Sequence, residues 1–161
     1  MAITTFVGIA EMKISIDPAE ILSAPNLGSC LGVAVYDPIK KIGGMVHCLL
    51  PSSSSDLQKA KLNPCMYVDT GVARLLEQAL KNGAEKRNLT IAVAGGSAIS
   101  DINNVFEIGK KNFTVLRKLL WKNNLLLEAE DVGGDHSRTI SLHIESGEMW
   151  LKAKGELRKM N

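Results

Sequence analysis

Two side chains of this 161-residue chain, Cys30 and His47, could perform thiol chemistry together. Cys30 follows the glycine-containing stretch 26–29 and opens an apolar run, and His47 lies in the next apolar run. A thiol within reach of an imidazole base can attack a carbonyl carbon. The backbone N–H groups of residues 28–30 could then stabilise the oxyanion that forms. The alternative interpretation is a packed core thiol beside a hydrogen-bonded core histidine.

A β-hairpin is expected to bring the two side chains together. The runs 31–36 and 42–50 are typical of strands, and a proline-containing turn separates them. A two-residue turn at 38–39 places Cys30 directly opposite His47. A turn longer by two residues makes them diagonal neighbours on the same face, whereas a slip of one residue places them on opposite faces.

The other cysteines are predicted to have structural roles. Cys48 is adjacent to His47 and therefore points to the other face of the strand, into the core. Cys65 follows a proline on an exposed connection or helix entry, where we expect its role to be structural or incidental. Three cysteines without regular spacing predict no disulfide framework, which indicates a reducing cytoplasm. The cysteines and histidines also lack the paired spacing of a zinc site, so no metal and no cofactor are expected.

Composition is typical of an ordinary globular protein, with 45% hydrophobic and 22% charged residues. The net charge of +2 is too small to predict a nucleic-acid surface. No apolar run approaches the roughly 20 residues of a membrane helix, so no membrane insertion is expected. We expect one domain over residues 1–161, with the basic stretch 152–161 as a solvated tail.

The apolar periodicity predicts strands before, between and after two helices, which indicates a mixed or antiparallel α+β sheet. A polar loop is expected over 52–64. The expected strands are 6–14, 21–24, 31–36, 42–50, 89–94, 125–130, 139–144 and 148–152, and the expected helices run from Tyr67 to Asn82 and from Asn112 to Asn123.

Six blocks of sequence, in order along nearly the whole chain, carry a resemblance to a known family. They are Leu27-Gly28-Ser29-Cys30, Gly43-Gly44-Met45-Val46-His47, Tyr67-Val68-Asp69-Thr70, Ala94-Gly95-Gly96-Ser97-Ala98, Ile108-Gly109-Lys110-Lys111-Asn112 and Glu130-Asp131-Val132-Gly133-Gly134. With this set the chain resembles the CheD family, the chemoreceptor glutamine deamidases of bacterial and archaeal chemotaxis.

The resemblance implies a fold, an activity and partners. The fold would be a three-layer α/β sandwich with mixed, mostly antiparallel sheets, similar to the catalytic domain of deamidating cytotoxic necrotising factor toxins. The activity would be hydrolysis of receptor glutamine side chains to glutamate, with Cys30 as nucleophile and His47 as base and acid. The implied partners are the cytoplasmic helices of methyl-accepting chemoreceptors and a CheC-type phosphatase.

One position departs from the family pattern. The family usually has a threonine six residues before the cysteine as a third catalytic member, and this chain has Ala24 there. Ser23 could supply the hydroxyl only if the strand were shifted by one residue, since neighbouring side chains face opposite ways. Otherwise a backbone carbonyl or water would orient His47.

The departure motivates a second hypothesis, a regulatory partner of a CheC-type phosphatase with weak or no deamidase activity. A third hypothesis is a thiol hydrolase or methylesterase, since a thioester route would also accept a glutamyl methyl ester.

Overall fold

The computed structural model describes residues 1–99 and 106–161. Its strands are β1 (Ile3–Phe6), β2 (Met12–Ser15), β3 (Glu20–Leu27), β4 (Leu31–Asp37), β5 (Ile42–Cys48), β6 (Thr90–Gly95), β7 (Ala129–Val132), β8 (Arg138–His143), β9 (Met149–Ala153) and β10 (Glu156–Lys159). Its α-helices are α1 (Leu57–Leu62), α2 (Val68–Lys81) and α3 (Ile108–Lys122), and short 3₁₀ turns lie at Ser53–Ser55, Pro64–Met66 and Lys86–Asn88.

The described strands form two five-stranded sheets. Sheet A has the order β1-β3-β8-β9-β10, and sheet B has the order β2-β5-β4-β6-β7. Among the described strands, β1 and β3 pair parallel in sheet A, β6 and β7 pair parallel in sheet B, and the other neighbouring pairs are antiparallel. The prediction of an α+β protein with mixed sheets is therefore confirmed.

The two sheets stack, and helices cover the outer face of sheet B. Ala34 of β4 packs between the sheets with Leu142 of β8, while its neighbour Val33 packs against the helices with Leu75 of α2. Side chains alternate between the two faces of a strand, and both faces of β4 are covered. This is why β4 is apolar at nearly every position.

The pairing of β4 with β5 sets the geometry of the candidate site. Gly32 lies opposite His47, and the ladder closes at Asp37 and Ile42. The connecting turn therefore contains four residues, not two. Of the three registers that the sequence left open, the observed one makes Cys30 and His47 diagonal neighbours on the same face, and the directly opposite arrangement is excluded.

A buried carboxylate fixes this turn. The Asp37 Oδ1 atom accepts hydrogen bonds from the backbone N–H groups of Ile39 at 2.9 Å and Lys40 at 3.0 Å. Its Oδ2 atom accepts from the Glu85 N–H at 2.8 Å and the Asn88 amide at 3.3 Å. Burial acts to raise the pKa of Asp37, but the four hydrogen bonds outweigh it and hold the pKa below its ordinary value. The ionised side chain thus locks the hairpin register.

The segment predicted as one strand over 6–14 instead crosses from sheet A to sheet B. The chain turns after β1, where the Glu11 N–H donates to the Gly8 carbonyl at 3.0 Å and the Glu11 side chain accepts from the Gly8 N–H at 2.7 Å. Ala10 has a φ of 64°, in the left-handed region that few non-glycine residues adopt. Apolar residues continue to alternate in the sequence through this turn, so the pattern did not show that β1 ends and β2 begins here.

The stretch 152–161 is not a tail, which corrects the sequence-based prediction. Lys152 belongs to β9, and β10 pairs antiparallel with β9 at the edge of sheet A. Lys154 and Gly155 have φ values of 52° and 75°, as a tight hairpin turn requires. All four residues of β10 are exposed, so the strand carries no buried face that its sequence could reveal.

Several other boundaries differ from prediction. The expected loop 52–64 contains α1, which begins where the Asp56 side chain accepts a hydrogen bond from the Lys59 N–H at 3.0 Å. β3 continues through Pro25, because the ladder is irregular between Ala24 and Leu27 and needs no donor there.

α3 starts four residues before Asn112, and β7 starts at Ala129 instead of 125. Helix α2 has its predicted bounds to within a residue.

No helix within residues 1–99 and 106–161 is long and apolar enough to cross a bilayer. That residues 1–161 act as one domain stays a prediction.

We expect Asp37→Asn to lower the free energy of unfolding by about 1–3 kcal/mol, because an amide leaves buried N–H donors without an acceptor. Urea unfolding at neutral pH measures this. The pKa of Asp37 is lowered in the folded state, so its contribution is present above 3.8 and is lost as the pH falls through the folded pKa.

The matched control is Asp135→Asn, whose side chain is 93% exposed and which should change stability by less than about 0.5 kcal/mol. Equal destabilisation by the two substitutions would contradict the role given to Asp37.

Candidate active site

The segment between β1 and β2 holds His47 from one side. The His47 N–H donates to the Glu11 carbonyl at 3.1 Å, and the His47 carbonyl accepts from the Ala10 N–H at 2.7 Å. The ring Nδ1 atom lies 3.0 Å from the Val7 carbonyl oxygen. His47 is only 2% exposed. Both the backbone and the ring of His47 are therefore fixed.

The contact with Val7 determines which ring nitrogen carries the proton. A carbonyl oxygen can only accept, so Nδ1 must be the donor. In the neutral ring Nε2 then carries the lone pair. Nε2 is buried and has no hydrogen-bond partner among the described residues. Burial lowers the pKa of His47, with the Val7 hydrogen bond and the Glu11 charge opposing the shift. The ring is accordingly a neutral base with a free basic nitrogen.

Cys30 lies one residue before β4, on the same inter-sheet face as His47. It is 6% exposed and packs in the cluster that contains Ala24 and Leu27. Burial raises the pKa of the Cys30 thiol, and a hydrogen bond from its own backbone N–H partly offsets this. At neutral pH the sulfur therefore carries its proton.

The loop that carries Cys30 is anchored through its carbonyl groups. The Gly28 carbonyl accepts from the Ser97 N–H at 2.9 Å, and the Cys30 carbonyl accepts from the Gly96 N–H at 2.9 Å. A Cβ atom on Gly95 would lie 2.1 Å from the Cys30 carbonyl oxygen, and Gly95 has a φ of 116°. Only glycine therefore permits this close approach of the two backbones.

The same anchoring directs two N–H groups. Asn112 binds the Ser29 carbonyl at 2.9 Å, as Ser97 binds that of Gly28. In a trans peptide the N–H points away from the preceding carbonyl. The N–H groups of Ser29 and Cys30 therefore point away from these anchors, and neither donates to another described residue. The Ser29 N–H, and the Cys30 N–H that also faces its own sulfur, are oriented to bind a developing oxyanion.

Ser23 does not join this group. Ala24 faces the inter-sheet core, whereas Ser23 faces the opposite side, where it pairs with Ser141 at an Oγ to Oγ distance of 3.4 Å. The shift of one residue that Ser23 would need is not present. A backbone carbonyl, that of Val7, orients His47 instead.

The remaining cysteines lie on the helix side of sheet B. Cys48 is fully buried there, as predicted, and its Sγ atom would be 2.8 Å from a Cβ atom on Gly71 of α2. Cys65 is also buried, which corrects the expectation of an exposed position. The N–H groups of Leu49 and Leu50 donate to the Met66 carbonyl and draw its turn onto the end of β5.

Two residues at the site were missed by the sequence reasoning. Val7 contributes only its carbonyl oxygen, and a backbone group leaves no signal in the sequence. Asn112 did leave one, because it lies four and eight residues before Leu116 and Leu120 and so shares their buried side of α3. An amide within an apolar stripe indicates a buried hydrogen-bonding role.

A cavity of about 320 Å³ borders the anchored loop. Its lining includes Gly96 and Ser97, which bind the loop carbonyls, together with Gly109, Gly133 and Gly134. Neither Cys30 nor His47 lines it.

Comparison with known proteins places the chain in a family. The model of the family described as CheD chemotactic sensory transduction matches residues 49–153. A crystal structure of a Neisseria meningitidis protein of family DUF152 aligns over 83% of this chain and 63% of that chain, with 9% identity and a TM-score of 0.46.

Curated relatives match over most of their length. A probable chemoreceptor glutamine deamidase CheD of Solibacter usitatus is 44% identical over 96% of this chain and 91% of its own. Probable chemoreceptor glutamine deamidase CheD 1 of Syntrophus aciditrophicus is 43% identical over 92% of this chain and 93% of its own. The corresponding protein of Methanococcus maripaludis is 41% identical over 82% and 84%. On this identity and coverage, the chain belongs to the CheD family.

Proposed function

We propose that the chain is a protein-glutamine amidohydrolase that deamidates glutamine side chains of chemoreceptors. One observation carries the chemistry: the Val7 carbonyl fixes the His47 ring with Nε2 free, and the register of β4 and β5 puts the His47 side chain on the inter-sheet face that also holds the Cys30 thiol. The substrate class comes from the relatives, which are named chemoreceptor glutamine deamidases.

In the first step, Nε2 of His47 removes the Cys30 proton as the sulfur attacks the carboxamide carbon of the substrate. A C–S bond forms, and the carbonyl electron pair moves to oxygen. The N–H groups of Ser29 and Cys30 stabilise that oxyanion. The imidazolium then gives its proton to the amide nitrogen, the C–N bond breaks, and ammonia leaves.

The second half of the reaction regenerates the thiol. The product of the first half is a thioester between the substrate acyl group and Cys30. His47 is again neutral and removes a proton from water as the water oxygen attacks the thioester carbon. The C–S bond breaks, the sulfur recovers its proton, and glutamate is released. Atoms balance: the amide and one water give the acid and ammonia.

The pKa shifts favour a neutral pair over a thiolate–imidazolium pair. Burial raises the pKa of Cys30 and lowers the pKa of His47, so both act against charge separation in the resting state. The proton therefore moves during attack, with His47 as a general base.

We also propose the binding partners of the chain and a structural similarity to a known domain. It assigns the substrates to cytoplasmic helices of methyl-accepting chemoreceptors and adds a CheC-type phosphatase as a regulatory partner. The stacking of two sheets and a helix layer supports a likeness to the catalytic domain of cytotoxic necrotising factor toxins. The competing function is a regulatory module that binds the phosphatase but releases no ammonia.

We expect Cys30→Ala to abolish ammonia release from a purified receptor cytoplasmic fragment, because no thioester can form. Mass spectrometry of receptor peptides should show the amide-to-acid change with the unaltered protein and none with the variant. Cys48→Ala is the matched control, since Cys48 faces the helices, and it should retain activity. Full activity of Cys30→Ala would rule out the thiol mechanism. No release by the unaltered protein, together with capture of the phosphatase, would favour the regulatory module.

We expect His47→Asn to reduce kcat/KM by about 10²- to 10⁴-fold. The asparagine amide can still donate to the Val7 carbonyl, as Nδ1 does, but it has nothing in place of Nε2. The thermal midpoint should therefore fall less than in His47→Ala, which loses the Val7 contact as well. Activity of His47→Asn close to that of the unaltered protein would exclude His47 as the base.

We expect alkylation of Cys30 by iodoacetamide to rise steadily with pH and to continue rising beyond 9.0, because burial raises the pKa of the thiol. Peptide mass spectrometry distinguishes Cys30 from Cys48 and Cys65. A rate that is already constant across neutral pH would instead indicate a preformed thiolate–imidazolium pair.

A further inference from the structure

A single buried amide on α3 joins the two chain segments that carry Cys30 and His47. The Nδ2 atom of Asn112 donates to the Ser29 carbonyl at 2.9 Å and to the Leu49 carbonyl at 3.1 Å. Ser29 directly precedes Cys30, and Leu49 follows His47 by two residues. Both partners are carbonyl oxygens, so the nitrogen of the amide must face them.

The amide acts where the strand ladder stops. Leu31 and Cys48 are the last pair of β4 and β5 at this end. Beyond that pair, the Asn112 side chain bridges the two chains. It therefore sets the separation of the segments next to Cys30 and His47.

The other atom of the same amide is unusual. Asn112 is 0% exposed, and its Oδ1 atom has no hydrogen-bond partner among the described residues. An unpartnered buried acceptor destabilises the folded state, because it has given up its hydrogen bonds to water without replacing them. A leucine would continue the apolar stripe of Leu116 and Leu120 without that cost. A residue that destabilises its own surroundings beside a candidate site is expected when its hydrogen bonds position functional groups.

We propose that Asn112 is a positioning residue that aligns the Cys30 thiol and N–H with His47. This inference rests on the proposed function. The Ser29 carbonyl and the Cys30 N–H belong to one planar peptide unit, so holding the carbonyl also holds the N–H. Asn112 itself is covered and touches no substrate, and it acts through Ser29 and Leu49.

Two substitutions test the role. Asn112→Asp keeps the shape but replaces the double donor with a group that presents oxygen to two carbonyls. Asn112→Leu removes the donors and the unpartnered acceptor together, and it continues the stripe. We expect each to lower kcat by about 10- to 100-fold. We expect KM to change by less than about threefold, since the residue does not bind substrate.

The matched control is Asn123→Ala at the other end of α3. The Asn123 side chain donates to the Leu119 carbonyl at 2.7 Å and is exposed. Loss of this hydrogen bond weakens the C-terminal end of α3 but does not affect β4 or β5, so kcat should stay unchanged. Thermal unfolding of all three variants identifies any that fail to fold.

A second measurement, which needs no substrate, distinguishes a positioning role of Asn112 from a role in packing alone. The Cys30 N–H stabilises the Cys30 thiolate, so a peptide unit freed from Asn112 should move the iodoacetamide alkylation profile of Cys30 to higher pH. If Asn112 only supported packing, its loss would expose the thiol and move the profile down towards 9.0.

An upward shift with a reduced kcat supports the proposal. A downward shift, or an unchanged kcat in folded Asn112→Leu, overturns it. If the unaltered protein releases no ammonia, the proposed function fails, while the alkylation profile still decides the role of Asn112.

Discussion

The hydrogen bond between the Val7 carbonyl and Nδ1 of His47 is the interaction on which the candidate site depends. It determines the tautomer, and it leaves Nε2 as a buried base without a partner among the described residues. The carbonyl is available because the chain crosses from sheet A to sheet B at this point, and the Val7 N–H is itself held by the Ser23 carbonyl at 2.8 Å. A backbone oxygen thus orients the histidine where Ala24 offers no hydroxyl.

Placing the thiol on the same face is a second, separate requirement. Side chains alternate along a strand, so a slip of one residue between β4 and β5 would turn Cys30 away from His47. Asp37 prevents the slip at the turn, where it accepts four hydrogen bonds. At the opposite end of the hairpin, Asn112 bridges the chains beyond the ladder. The Asp37 carboxylate at the turn and the Asn112 amide at the other end of the hairpin together hold the neutral Cys30 thiol and the neutral His47 ring on one face.

Sequence reasoning could predict the features that depend on local pattern. The period of α2, the strand β4 and the inward position of Cys48 follow from side-chain alternation and helical spacing. The length of the turn between β4 and β5 could not be predicted, because two of the residues that bind Asp37 there are distant in sequence. Glu85 and Asn88 lie 48 and 51 positions further along the chain. Sequence reasoning also missed the crossing at 6–14, which supplies the Val7 carbonyl, and β10, whose exposed residues resemble a solvated tail.

The proposed chemistry requires His47 to be a neutral ring with its proton on Nδ1, and ¹⁵N NMR of the labelled imidazole at neutral pH measures this protonation state. We predict a protonated Nδ1, an unprotonated Nε2, and a coupling across the hydrogen bond to the Val7 carbonyl. A ring protonated on Nε2, or an imidazolium with both nitrogens protonated, would contradict this assignment, because neither leaves Nε2 free to take the Cys30 proton.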